Sequence, residues 1–111
     1  MSWNKEVYIS SKKVIVTEKG QEIAAYDKPN RYLFNVQPAS GETDIIEYGE
    51  RISKIFKAIV NIRYKNKFNE GDIAYLDGVV PNDKNTNYNY KIVSVRNQNR
   101  RIAIYFERIQ K

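Results

Sequence analysis

Ile52-Ser53-Lys54-Ile55-Phe56-Lys57-Ala58-Ile59-Val60-Asn61-Ile62-Arg63-Tyr64 is the stretch that decides the fold. Its even positions put Ile52, Lys54, Phe56, Ala58, Val60, Ile62 and Tyr64 on one side, and its odd positions put Ser53, Lys57, Asn61 and Arg63 among the apolar Ile55 and Ile59. Alternation of period two, rich in β-branched residues, predicts a long β-strand with one buried and one partly wet face. A helix would scatter the polar side chains into its own core stripe.

Residues 101–109 alternate in the same way, with Ile102, Ile104 and Phe106 facing one side and Ala103, Tyr105 and Glu107 the other. Between and before these two strands, turn formers recur at short intervals. Lys19-Gly20 separates two apolar runs as a hairpin would, because glycine supplies the positive φ of a tight reversal. Lys28-Pro29-Asn30 turns the chain into residues 32–36, Glu70-Gly71-Asp72 precedes the run 73–76, and Asp77-Gly78 ends it. Residues 97–100 link the strand at 90–96 to the final one as another hairpin. The fold class expected is all-β: a small single-domain barrel, residues 1–111, of six or seven mostly antiparallel strands. Its core should include Phe56, Val60, Ile62, Ile92, Ile102, Ile104 and Phe106.

Length agrees, since 111 residues make one ordinary domain with one core. A 13% aromatic content, including nine Tyr and four Phe, is too high for a disordered chain. No run nears the roughly 20 apolar residues of a membrane helix, and the first ten residues lack the apolar centre of a secretion signal, so a soluble, non-exported protein is expected. The chain has neither Cys nor His. That removes zinc sites, thiol nucleophiles, serine and cysteine triads and the usual proton shuttle, and favours a binding or structural protein over an enzyme. The five isolated glycines form no phosphate-binding loop. No cofactor is expected.

Charge is divided along the chain. Residues 1–50 carry six basic and eight acidic side chains; residues 51–111 carry thirteen and five. A basic half suits phosphate binding, and Tyr interleaves with cations at Arg63-Tyr64-Lys65, Tyr88, Tyr90-Lys91 and Tyr105, so a basic single-stranded nucleic-acid-binding barrel stays open as an alternative of another class. Tyr also favours strands simply because its ring packs on a half-buried pleat while the hydroxyl reaches water.

Two segments break the regular plan. Residues 38–51 mix turn formers with the acids Glu42, Asp44, Glu47 and Glu50, and with Ile45, Ile46 and Tyr48 at a spacing that is neither strand nor helix. They are expected to form one long functional loop, starting after Pro38 and bending at Gly41 and Gly49. Its acids lack the calcium-loop spacing, and no metal is expected there. Residues 80–89, rich in Asn and Asp, are expected to be an exposed insertion.

The order of several short signatures resembles the bacteriophage head-tail connector proteins, in particular the head-closure or stopper family. The resemblance lies in Asn35-Val36-Gln37-Pro38 followed by Ser40-Gly41-Glu42, in the alternating strand ending Ile62-Arg63-Tyr64, in Asp77-Gly78 leading to Tyr90-Lys91-Ile92, and in the closing Ile102-Ala103-Ile104-Tyr105-Phe106-Glu107. It implies a structural virion protein at the head-tail interface, assembled in the bacterial cytoplasm. The subunit, or a neighbouring connector or tail-completion subunit, would form a homo-oligomeric ring, usually of twelve. The ring would lie between the portal with its adaptor and the tail-completion or tail-tube protein, with packaged double-stranded DNA passing through it and no membrane involved. The channel gate would then run from Ser40 and Gly41 through Glu42, Asp44, Ile45, Ile46, Glu47, Tyr48, Gly49 and Glu50 to Arg51. On this reading the acids form a negative collar, Ile45, Ile46 and Tyr48 pack between neighbours, and Arg51 ties adjacent loops through an acid.

Overall fold

A computed structural model describes residues 5–39, 41–82, 87–98 and 100–109. The elements follow the turn signals. Strands β1 (Lys5–Ser10), β2 (Lys12–Val16), β3 (Glu22–Tyr26), β4 (Asn30–Phe34) and β5 (Val36–Pro38) precede a helix, α1 (Glu42–Tyr48), and a 3-10 turn, Gly49–Lys54. Then come β6 (Ile55–Asn61), a second 3-10 turn (Ile62–Tyr64), β7 (Ile73–Tyr75), β8 (Tyr90–Gln98) and β9 (Arg101–Arg108).

Seven strands form one antiparallel sheet in the order β4-β1-β7-β8-β9-β6-β5. Its two end strands, β4 and β5, are separated in the chain by Asn35 alone. One bent segment thus pairs with β1 through its first half and with β6 through its second, which draws the sheet into a nearly closed barrel. The fold class expected from alternation and turns is the one observed. The hairpin β2-β3 is an excursion between β1 and β4, reversed at Gly20 (φ 78°) by the bond from Gly20 N–H to Thr17 C=O.

Inside the barrel, Val7, Ile9, Phe34, Val36, Ala58, Val60, Ile92, Ile102, Ile104 and Phe106 pack with Phe68, Leu76 and Tyr90. The expected parity of β6 and β9 holds, with Phe56 and Ile62 half-buried at the margin. The strand of residues 52–64 is shorter than expected, however. At its end the Asn61 side chain accepts the Arg63 N–H at 2.9 Å, a local bond that replaces the next ladder step and starts the 3-10 turn. At its start, residues 52–54 already belong to the turn after α1.

The larger departure is in residues 38–51. The expected long loop is a helix and a 3-10 turn, and it covers the outer face of the sheet. Tyr48 and Ala39 pack there on Ile55, Ala103 and Tyr105, with Ile52 and Val93 at the edge. β9 is therefore buried on both faces from Ile102 to Phe106. β1, which the turn pattern did not single out, supplies Val7 and Ile9 to the inner core. The expected insertion at 80–89 includes residues 83–86 and the expected turn at 97–100 includes Asn99, and these five lie outside the described residues. The insertion's exit is not simply exposed: Tyr88 lies against Tyr26 and Tyr75, and the Asn89 amide makes two bonds of 3.0 Å to the Leu76 backbone.

Candidate functional site

The segment expected to act as a gate is built from Gly41 onward; Ser40 lies outside the described residues. Gly41 is extended (φ −67°, ψ 153°) and caps α1, while Gly49 ends it at φ 55°, ψ −126°, with its N–H bonded to Ile45 C=O. That last conformation is one L-residues rarely adopt, so glycine at 49 is what lets the chain leave α1 and enter the next turn.

One face of α1 is fastened to the barrel. Asp44, only 3% exposed, accepts a 2.9 Å hydrogen bond from the Tyr105 hydroxyl and has the Lys57 ammonium 3.8 Å away. Glu47 pairs with Arg96, whose guanidinium also lies over the Tyr105 ring at 4.9 Å. Tyr48 is buried with its ring centroid 5.7 Å from that of Tyr105. Burial, reinforced by the bond to Asp44, raises the pKa of the Tyr105 phenol. Following α1, Arg51 donates to Glu107 at 2.6 Å, and this bond, more than the attraction of Lys91 and Lys54, holds the Glu107 carboxyl below its usual value of 4.5.

These contacts revise the roles read from sequence. Asp44 and Glu47 each find a cation of their own barrel; Arg51 reaches Glu107 of the same chain; Tyr48 packs inward. Among the described residues no group of three acids converges as a metal site would require. What α1 turns outward is Ile45, 51% exposed, and Ile46, 78% exposed, with Glu50 at the surface just beyond.

Arg96 reaches α1 because of an irregularity the sequence does not announce. Ile92 faces Phe106 inside the barrel, yet Ser94 lies opposite Tyr105, so a β-bulge at Val93 shifts the parity of β8. Without it Arg96 would share the inward parity of Ile92. With it, Val95 turns to the core and Arg96 turns out beside Glu47. The tyrosines noted for their basic neighbours separate similarly. Tyr90 and Tyr105 are buried, and Tyr64 is half-buried among Tyr32, Phe34 and Phe68, with Arg63 and Lys67 over its ring.

No family model and no curated protein matches the sequence. Among solved structures, the solution structure of protein SF1141 from Shigella flexneri 2a is similar with a TM-score of 0.65 at 12% identity. The match spans 94% of this chain and 90% of that one. At such identity the likeness is one of fold: a small barrel of the same architecture.

Proposed function

We propose that this chain is a structural virion protein, a ring-forming head-closure subunit of a tailed-phage head-tail connector, with no catalytic step of its own. The observation that carries the reading is α1: in the segment that the resemblance marks as the gate, a short helix is locked to its barrel by Asp44, Glu47 and Tyr48 while it holds Ile45 and Ile46 out in solvent. A neighbouring connector or tail-completion subunit is the nearest variant of the same reading. Its partners would be the portal-adaptor complex, the tail-completion or tail-tube protein, other copies in a ring of about twelve as the resemblance implies, and the DNA that passes through.

The gate then acts by shape. Repulsion between surface acids and phosphates is screened beyond about 8 Å at physiological salt. Ile45 and Ile46 from successive copies, packed between neighbours, would narrow the aperture, and the ion pairs at Glu47 and Arg51 would keep each helix in place. The alternative, a barrel that stacks single-stranded bases, has less support because Tyr90 and Tyr105 are committed to packing and Tyr64 is already covered by its own cations.

Mixing the protein with purified portal-adaptor complexes and imaging them should reveal an added symmetric ring. The double variant Ile45→Ser, Ile46→Ser should still fold, but filled heads carrying it should lose DNA. No added ring, together with oligonucleotide affinity that falls steeply with salt, would favour the nucleic-acid-binding barrel instead.

A further inference from the structure

Six large apolar side chains are exposed among the described residues, and four of them fall into two pairs. Ile45 and Ile46 form the first pair, on the outer face of α1. Leu33, 55% exposed, and Ile59, 39% exposed, form the second, in an open trough along the seam where β4 and β6 touch without being ladder partners. Val16 and Val80 stand singly, as scattered surface residues commonly do.

The two pairs differ in the charges left open beside them. Next to Ile45 and Ile46, Asp44 is buried against Lys57 and Glu47 pairs with Arg96, so the acid left at the surface without an ion-pair partner among the described residues is Glu50. Ile59 also borders Asp44 and Lys57 of its own chain on the side toward α1. The trough is rimmed by Arg63 on one side and by Arg100 and Arg101 on the other. Residues 61–69 and 96–102 contain no acid, and among the described residues no carboxylate pairs with these three arginines. Neither isoleucine of α1 lines the trough of its own chain.

We infer that the outer face of α1 in one copy docks into the β4-β6 trough of a second copy, head to tail, with Ile45 and Ile46 against Leu33 and Ile59 and Glu50 toward the arginine rim. This rests on the connector reading above and names its subunit contact. A second copy fits better than nucleic acid because phosphates would leave Leu33 and Ile59 facing charge, whereas the α1 face supplies two apolar side chains and the turn just after it supplies Glu50. Since the two patches differ, each copy offers one of each, and successive copies can close into a ring. The contact is small, so it forms only weakly between free subunits.

The absence of cysteine makes the contact addressable by cross-linking. Ile46→Cys and Ile59→Cys, mixed under a mild oxidant, should give a 46–59 heterodimer in clear excess over either homodimer. The double variant should give a ladder of higher species. Leu33→Cys serves in place of Ile59→Cys if the strand position perturbs folding. Raising salt from about 0.1 M to about 1 M, which shortens the screening length from about 10 Å to about 3 Å, should reduce the yield several-fold. Random pairing of the single variants, or a double variant that stops at dimers, overturns the inference. So does protection of the Ile59→Cys thiol from maleimide by a duplex oligonucleotide with no cross-link formed, which would assign the trough to phosphate. Cross-links in solution without ring addition to portal-adaptor complexes would remove the connector reading and leave the contact standing. An added ring whose 46–59 pairs fail to cross-link would do the reverse.

Discussion

Asp44 and Tyr105 join the gate segment to the barrel by one hydrogen bond between two buried side chains, 61 positions apart. Removing one partner leaves the other without its bond in a place water does not reach, so Asp44→Ala should cost about 1–3 kcal/mol. Tyr105→Phe keeps the ring on Tyr48 but leaves the buried Asp44 carboxylate with Lys57 alone at 3.8 Å, so it should cost at least as much. Chemical denaturation of both single variants and the double should reveal a coupling, because the bond is lost once and not twice. Arg51 and Glu107 are coupled through charge. Because the folded Glu107 carboxyl lies below 4.5, its stabilisation is complete above the unfolded value and disappears as pH falls through the folded one. Denaturation midpoints measured from pH 7 down to pH 3 should therefore fall less for Arg51→Gln than for the natural sequence. An unchanged pH profile would mean that this pair contributes nothing to acid stability.

At the scale of elements, two local features place the gate helix. Gly49→Ala meets no neighbouring atom, so its cost is backbone strain alone, about 1–3 kcal/mol, and thermal melting should register it without loss of the barrel. The bulge at Val93 holds one extra residue in β8. Deleting Val93 leaves Ile92 and Val95 inward and Ser94 and Arg96 outward in simple alternation, so Arg96 stays within reach of Glu47 and the variant loses only the Val93 contact at the edge of the outer cluster. That variant should keep a cooperative unfolding transition in thermal melting, and loss of cooperativity would mean that the bulge itself is needed for β8 to pair. Ile45→Ser with Ile46→Ser should instead remain within about 0.5 kcal/mol of the natural stability, since both side chains are exposed.

For the whole molecule, Phe106 at the centre of the barrel and Phe56 at its margin give a graded test of the core. Phe106→Ala should cost about 3–5 kcal/mol and Phe56→Ala distinctly less, because Phe56 is only half-buried against Tyr90. Equal losses would mean that the barrel packs differently at that end. The barrel, its antiparallel pairing and the inward parity of Ala58, Val60, Ile102, Ile104 and Phe106 were legible in the sequence, since side chains alternate every residue and glycine, Pro and Asn mark the reversals. β1 was hidden because Lys5-Glu6-Val7-Tyr8-Ile9-Ser10 is short and polar at its start, and only pairing with both β4 and β7 makes it a strand. The helix of residues 42–48 was hidden for a related reason: seven residues give too few turns for a periodic signal, and its stability comes from docking on Ala103 and Tyr105. The unbroken apolar run from Ile102 to Phe106 was the one sign that something covers the outer face of β9. Local sequence thus determined alternation, turns and charge division, which depend on neighbours along the chain. Tertiary structure alone decided the bulge at Val93, the pairing of Asp44 and Glu47 with their own barrel, and the trough between Leu33 and Ile59, because each depends on which distant strand lies alongside.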